Sequence, residues 1–149
     1  MTTDDITIRV ATHGDAGAMA VLAGELGYPT TQEKIEERFV ELSRDEHHVV
    51  LVAETEDCGV VGWIHLLPRF LLYSPRMAEI GGLVIEEKRR GQGIGRALTQ
   101  AGEKWAQSKG YVGIVVRSNS VRRGSHEFYP RIGYTLMKTQ HVYLKEFGA

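Results

Sequence analysis

Residues 89–98 read Arg-Arg-Gly-Gln-Gly-Ile-Gly-Arg-Ala-Leu, residue types that suit a phosphorylated group. Gly91, Gly93 and Gly95 lie between an apolar run at 80–85 and a segment with helical periodicity. Glycines at such a junction let backbone N–H groups curl around an anion at the positive end of a helix dipole. Arg89 and Arg90 at the lip, with Arg96 just beyond, add charge-assisted contacts to phosphate. A dinucleotide fingerprint needs its third glycine one residue later, where Arg96 stands, and a carboxylate some 20 residues on. The next apolar run instead ends Arg117-Ser118-Asn119. No lysine follows the glycines as a P-loop requires. The alternative without a ligand is a tight strand-to-helix turn.

A second motif lies downstream. Asn119-Ser120-Val121-Arg122-Arg123-Gly124-Ser125-His126-Glu127-Phe128-Tyr129 runs on into Pro130-Arg131-Ile132-Gly133-Tyr134. The glycine loop, read as Arg90-Gly91-Gln92-Gly93-Ile94-Gly95, resembles the coenzyme A pyrophosphate loop of the GNAT superfamily of N-acetyltransferases, Q/R-x-x-G-x-G/A. The downstream segment resembles that family's N-x-x-R-x-x-[AS]-H-x-F-Y-x-x-x-G-[FY]. One helix and one strand separate the two, as the resemblance requires.

The resemblance implies acetyl-CoA as cosubstrate. Its pyrophosphate would rest on Arg89, Arg90, Gly91, Gln92, Gly93, Ile94, Gly95 and Arg96. Its pantetheine arm would bond, like an extra strand, to the backbone of Leu83, Val84 and Ile85, with pairing broken at Gly81-Gly82. An unpaired strand edge is a ready partner for an amide-bearing ligand. Asn119 would bond the pantetheine arm and Arg122 the adenosine end, although solvation is an equal alternative for Arg122.

Acetyl transfer to an amine must remove a proton from nitrogen, polarise the thioester carbonyl and protonate the leaving thiolate. By position in the resemblance, Tyr129 is the acid at the thiolate; the alternative is a core tyrosine beside Phe128. Glu79 is the candidate base, through water, since a carboxylate flanked by Met77, Ala78 and Ile80 would titrate nearer neutrality if buried. It could equally face solvent. Glu25, Tyr28, His65 and Tyr73 are candidates for the acceptor pocket. His47 and His48, adjacent in an expected strand, point to opposite faces, and no ligand spacing marks a metal site. Cys58 falls in an expected turn away from the loop motif, which argues against an acyl-cysteine route.

The elements that position these residues follow from periodicity. Strands are expected at 6–11, 48–55, 60–67, 77–85 and 112–117, the second and third joined by a turn at 56–59. Helices are expected at 15–26, from a Thr30/Glu33 capping box onward, at 93–108 and at 125–131. Gly81-Gly82 marks a bulge in the strand at 77–85. A final hairpin is expected at 134–138 and 141–145. The fold class is α/β (α+β), a mixed, mostly antiparallel sheet with helices on both faces. The resemblance implies the order β-α-α-β-β-β-α-β-α-β-β over one domain, 1–149.

Composition fits a small enzyme. At 149 residues, 42% hydrophobic and 25% charged, the chain is long enough to bury a core. Net charge is −1, yet residues 76–131 hold eleven Lys/Arg against five Asp/Glu and the rest seven against fourteen. A basic half suits a polyphosphate cofactor, and an acidic remainder suits a cationic amine. Glu33, Glu36, Glu37 and Glu41 read better as a solvated helix face. Basic residues interleaved with aromatics are missing outside the cofactor segment, so nucleic acid is not an expected partner. No apolar run approaches the ~20 residues of a membrane span. A single cysteine and an acidic N-terminus point to the cytoplasm. The expected reaction is direct attack of a primary amine on acetyl-CoA in a ternary complex. The alternatives are a protein N-terminus or lysine as acceptor, another acyl group, or a silent coenzyme A-binding sensor. The acceptor is a small molecule or peptide amine, and the resemblance allows a homodimer.

Overall fold

The computed structural model describes residues 5–118 and 123–148. They fall into two compact units, Met1–Arg117 and Ser118–Ala149. The first holds β1 (Ile6–Val10), α1 (Ala16–Leu26), α2 (Gln32–Ser43), β2 (Val49–Thr55), β3 (Gly59–Arg69), β4 (Met77–Ile85), α3 (Ile94–Ser108) and β5 (Ile114–Val116). The second holds α4 (Arg123–Arg131). The strands lie in the order β1-β2-β3-β4-β5. Every pairing is antiparallel except the parallel join of β4 to β5.

Alternation along β3 divides the sheet's two faces. Ile64 and Leu66, both fully buried, face α3 and meet it at Gly102, where an added Cβ would stand 2.9 Å from Leu66 Cδ1. The small residue there lets the helix sit directly on the strand. Leu98 and Ile94 of α3 are also fully buried, which accounts for the helical stripe in the sequence. On the other face, Ala11, Met19 and Val52 form a core with Ile35, Phe39 and Trp63. Trp63 Nε1 donates to Met19 O at 3.2 Å, fastening α1 to the sheet.

The entry to α1 is held by charge. Arg9 on β1 donates to Asp15 at 2.8 and 2.9 Å and to Glu54 on β2 at 3.1 and 3.2 Å. Hydrogen bonds from Arg9, and then from the Thr12 backbone, hold the Asp15 carboxyl below the usual carboxylate range despite its burial.

Several expected boundaries move. The N-cap of α2 is Thr31, whose side chain accepts from Lys34 N, one residue past Thr30. The fifth strand keeps three of its six expected residues, because Val112 and Gly113 instead bond and pack at the start of β4. The expected terminal hairpin is not formed: residues 134–148 contain no strand. Leu136, Met137, Val142, Tyr143 and Leu144 are at least 80% exposed there, so the alternation lacks the burial that turns a pattern into a strand.

Candidate functional site

β4 changes character at its middle. Its first half is paired on both sides, with Ala78, Glu79 and Ile80 opposite Ile114, Val115 and Val116 of β5. The pairing with β3 runs the whole length but skips Gly81, so that Ile80 faces Leu66 and Gly82 faces His65. This is the expected bulge, one extra residue on β4. From Gly81 to Ile85 no second strand partner exists among the described residues. One backbone edge therefore lacks a strand partner from the bulge to the strand's end, where Ile85 O accepts from Arg90 Nε.

That open edge leads into the glycine loop. Gly91 and Gly93 adopt φ +81° and +85°, backbone that side chains rarely tolerate. Gly93 is the N-cap of α3 and offers no side-chain cap. The first N–H groups of a 15-residue helix thus project outward beside exposed Arg90 and Arg96. Gln92 Oε1 is buried in the loop without a hydrogen-bond partner, an acceptor set toward a site for a donor-bearing ligand. Arg90 Nε donates to Ile85 O, tying the loop to the end of β4.

Arg89 also has partners on the β2–β3 turn. Its guanidinium reaches Cys58 Sγ at 2.9 Å and lies 4.0 Å from Asp57 and 3.9 Å from Glu86. It joins the β2–β3 turn to the loop. Cys58, Glu86, Lys88, Arg89 and Gln92 line a depression of about 340 Å³. Cys58 is thus a neighbour of the loop in space, although sequence distance suggested otherwise.

On the α1 face of β3 and β4 stand two polar groups. Glu79 Oε1 accepts from Arg69 at 3.1 Å and lies 3.7 Å from Arg117. His65 Nε2 lies 3.0 Å from His48 Nδ1. Burial, and then the neighbouring His48, push His65 down from 6.5 to about 4, so its ring is neutral at neutral pH.

The acetyltransferase (GNAT) family profile matches residues 18–134. The chain belongs to the GNAT acetyltransferase family. No curated protein sequence matches it. Among solved structures, it is similar to aminoglycoside 6'-N-acetyltransferase AAC(6')-Ih of Acinetobacter baumannii, at 17% identity and TM-score 0.83 over 96% of this chain and 99% of that one. Glucosamine-6-phosphate N-acetyltransferase of Arabidopsis thaliana gives 20% identity and TM-score 0.79 over 95% and 99%. AAC(6')-Iy, bound to a bisubstrate analogue of coenzyme A and acetylneamine, gives 15% and 0.82 over 95% and 98%. At these identities the structural likeness carries the GNAT fold alone.

Within that GNAT fold, the acceptor candidates separate. Glu25 Oε1 accepts from Glu87 N at 3.1 Å, which docks the end of α1 against the approach to the glycine loop. Leu26, the next residue, comes within 3.7 Å of where a Cβ on Gly82 would stand. Tyr28 and Tyr73 are 68% and 80% exposed, on separate loops. His65 alone of the four lies beside the bulge.

The second unit sets Tyr129 locally. Tyr134 N donates to Tyr129 O and Gly133 N to Pro130 O, with Gly133 at φ +98°. These are the paired bonds of a Schellman motif closing α4. The Tyr129 ring packs edge-on against Phe128 and Tyr134, at centroid distances of 5.1 and 5.6 Å. The glycine-tyrosine that ends the downstream motif is therefore a helix stop that also holds the Tyr129 ring. Asn119 and Arg122 lie outside the described residues.

Sequence reasoning missed Arg69, Arg117 and His48. His48 precedes β2 and points toward His65, so treating the adjacent histidines as opposed strand residues hid the contact. The strand register of the β2–β3 hairpin, with Val50 opposite His65, is the signal that brings them near.

Proposed function

We propose that this chain, as one N-acetyltransferase domain, moves the acetyl group of acetyl-CoA to a primary amine by direct attack in a ternary complex. The observation that carries the reading is the β4 edge left open from Gly81 to Ile85 and running straight into an uncapped helix N-terminus. An amide-bearing arm matches the first and a pyrophosphate the second. The residues present fit the cosubstrate: Leu83, Val84 and Ile85 offer backbone, the 91–95 loop offers N–H groups, and Lys88, Arg90 and Arg96 offer exposed positive charge. Arg89 supports the loop by holding it to the β2–β3 turn.

Acetyl-CoA supplies an activated carbonyl with a thiolate leaving group. The chain's task is to deliver the amine with its lone pair free, polarise the carbonyl and return a proton to sulfur. A backbone N–H of the open β4 edge is suited to the carbonyl oxygen. Glu79, fixed by Arg69 and Arg117 at Oε1, is suited to hold a water or an ammonium on the same face. Tyr129 is assigned to the departing sulfur on the strength of its motif. The GNAT neighbours acetylate aminoglycosides and an amino sugar phosphate by their names, which makes amino sugars the first acceptors to try.

Free-thiol release from acetyl-CoA across polyamines, aminoglycosides, amino sugars, amino acids and short peptides tests the reading. Acceptor-dependent release supports it and names the substrate class. Stoichiometric acetyl-CoA binding without release for any amine would replace it with a protein acceptor, another acyl donor or a silent sensor.

A further inference from the structure

Asp45 and His48, from the loop before β2, meet His65 of β3, whose strand partner is Gly82 at the β4 bulge. Asp45 Oδ1 accepts from His47 N at 2.9 Å, which fixes the carboxylate. Its Oδ2 lies 3.7 Å from His48 Nε2, beyond direct hydrogen bonding, yet near enough for its field to favour a proton on that nitrogen. A neutral His48 protonated at Nε2 has its lone pair on Nδ1. His48 Nδ1 faces His65 Nε2 at 3.0 Å, and two lone pairs cannot face each other at that distance. His65 must then carry its proton on Nε2 and its lone pair on Nδ1. Each group sets the tautomer of the next.

The lone pair on His65 Nδ1 has a defined outlook. The nitrogen lies 3.4 Å from where a Cβ on Gly81 would stand, a place that Leu67 Cδ2 approaches to 2.8 Å. Gly81 is exposed and is the residue that β3 skips. A side chain at position 81 would press on both Leu67 and this nitrogen, so the glycine keeps an acceptor beside the bulge, where the unpaired edge of β4 begins.

We infer that His65 Nδ1 is the catalytic acceptor for the N–H of the incoming amine, with His48 and Asp45 as positioning residues that keep this nitrogen unprotonated. The inference rests on the acetyl-transfer reading, which places the thioester along that edge. As the amine nitrogen bonds to the carbonyl carbon, the proton it sheds passes to His65 Nδ1. The carbon–sulfur bond breaks, the thiolate takes a proton from water, and His65 returns its own to water. The sum is amide plus free thiol. Its depressed affinity for protons keeps His65 in the accepting form across the neutral range.

Two measurements test this independently. Long-range ¹⁵N–¹H correlation on the histidine rings of the ligand-free protein reads the tautomers directly. His65 should show the proton on Nε2 alone, and Asp45→Asn should redistribute it between the two nitrogens. A proton on His65 Nδ1 in the unaltered protein overturns the inference, whatever the enzyme proves to acetylate. With the best amine of the panel, His65→Phe should lower kcat/KM for the amine about 100-fold and leave acetyl-CoA affinity unchanged. His65→Asn, which keeps an acceptor near the Nδ1 position, should recover part of that loss. Equal activity of the Phe and Asn variants overturns the inference. Failure of acetyl-CoA to bind the unaltered protein would instead remove the acetyl-transfer reading, while leaving the tautomer result standing.

Discussion

The two faces of β3 and β4 are written in alternate residues of the same strands and have opposite characters. Toward α3 stand Ile64, Leu66, Ala78 and Ile80, all buried, packed on a helix brought close by Gly102. Toward α1 stand Trp63, His65 and Glu79, each hydrogen-bonded to something other than its own strand. The first face spends its residues on volume and the second on orientation. Chemistry in a small domain can occupy half of a sheet because the other half supplies the stability.

Substitutions can break this contrast in order of size. On the closed face, Leu98→Ala should cost about 2–5 kcal/mol by lost transfer energy and a cavity, measured by urea unfolding, with acetyl-CoA affinity per folded molecule unchanged. On the open face, His65 should make stability depend on pH. Its folded pKa lies below its ordinary value, so the unfolded chain binds the proton first and stability falls as pH drops from about 6.5 to about 4. The loss should be on the order of 3 kcal/mol, and His65→Phe should flatten it; an unaltered slope would assign the dependence elsewhere.

Asp15→Asn, outside both faces, should cost about 1–3 kcal/mol by weakening a buried charge-assisted bond. Because the folded pKa of Asp15 is depressed, its contribution is present above the ordinary carboxylate range and lost as pH falls below about 4. The two acid losses thus occupy separate pH windows, and melting temperatures across pH 3–7 distinguish them. Glu79→Gln should cost about 1–3 kcal/mol, since its bond to Arg69 is largely shielded from solvent although Arg117 is exposed. Its turnover should fall by about 100-fold if Glu79 holds the water or ammonium. Gly93→Glu sharpens the contrast differently: it should abolish acetyl-CoA binding, by strain at φ +85° and by repulsion of phosphate.

What the sequence disclosed follows the range of the forces involved. The glycine loop was readable because turn geometry and helix dipole act over a few neighbouring residues. The bulge at Gly81 was readable because glycines have few uses inside a strand. The α3 stripe, with Ile94 and Leu98, followed from a period of 3.6. The pairing of His48 with His65 across 17 positions and of Arg69 and Arg117 with Glu79 depends on strand register, which composition does not encode. Cys58 sits beside the loop for the same reason. The terminal alternation at 134–145 misled, because a period of two states which residues could share a face without supplying a neighbour to cover it.

The strand order carries one more consequence, for the folding of the chain. The β2–β3 and β3–β4 pairings close short loops, whereas β1 and β2 pair across α1 and α2 through five residue pairs. β5 reaches β4 only across α3 and through three residue pairs. Long loop closure with little return places that join late in folding and early in local opening. Amide exchange at Ile114, Val115 and Val116 should therefore outpace that of β3. The open edge of β4 therefore begins where the shortest pairing of the sheet ends, at a join that can loosen without unravelling the rest.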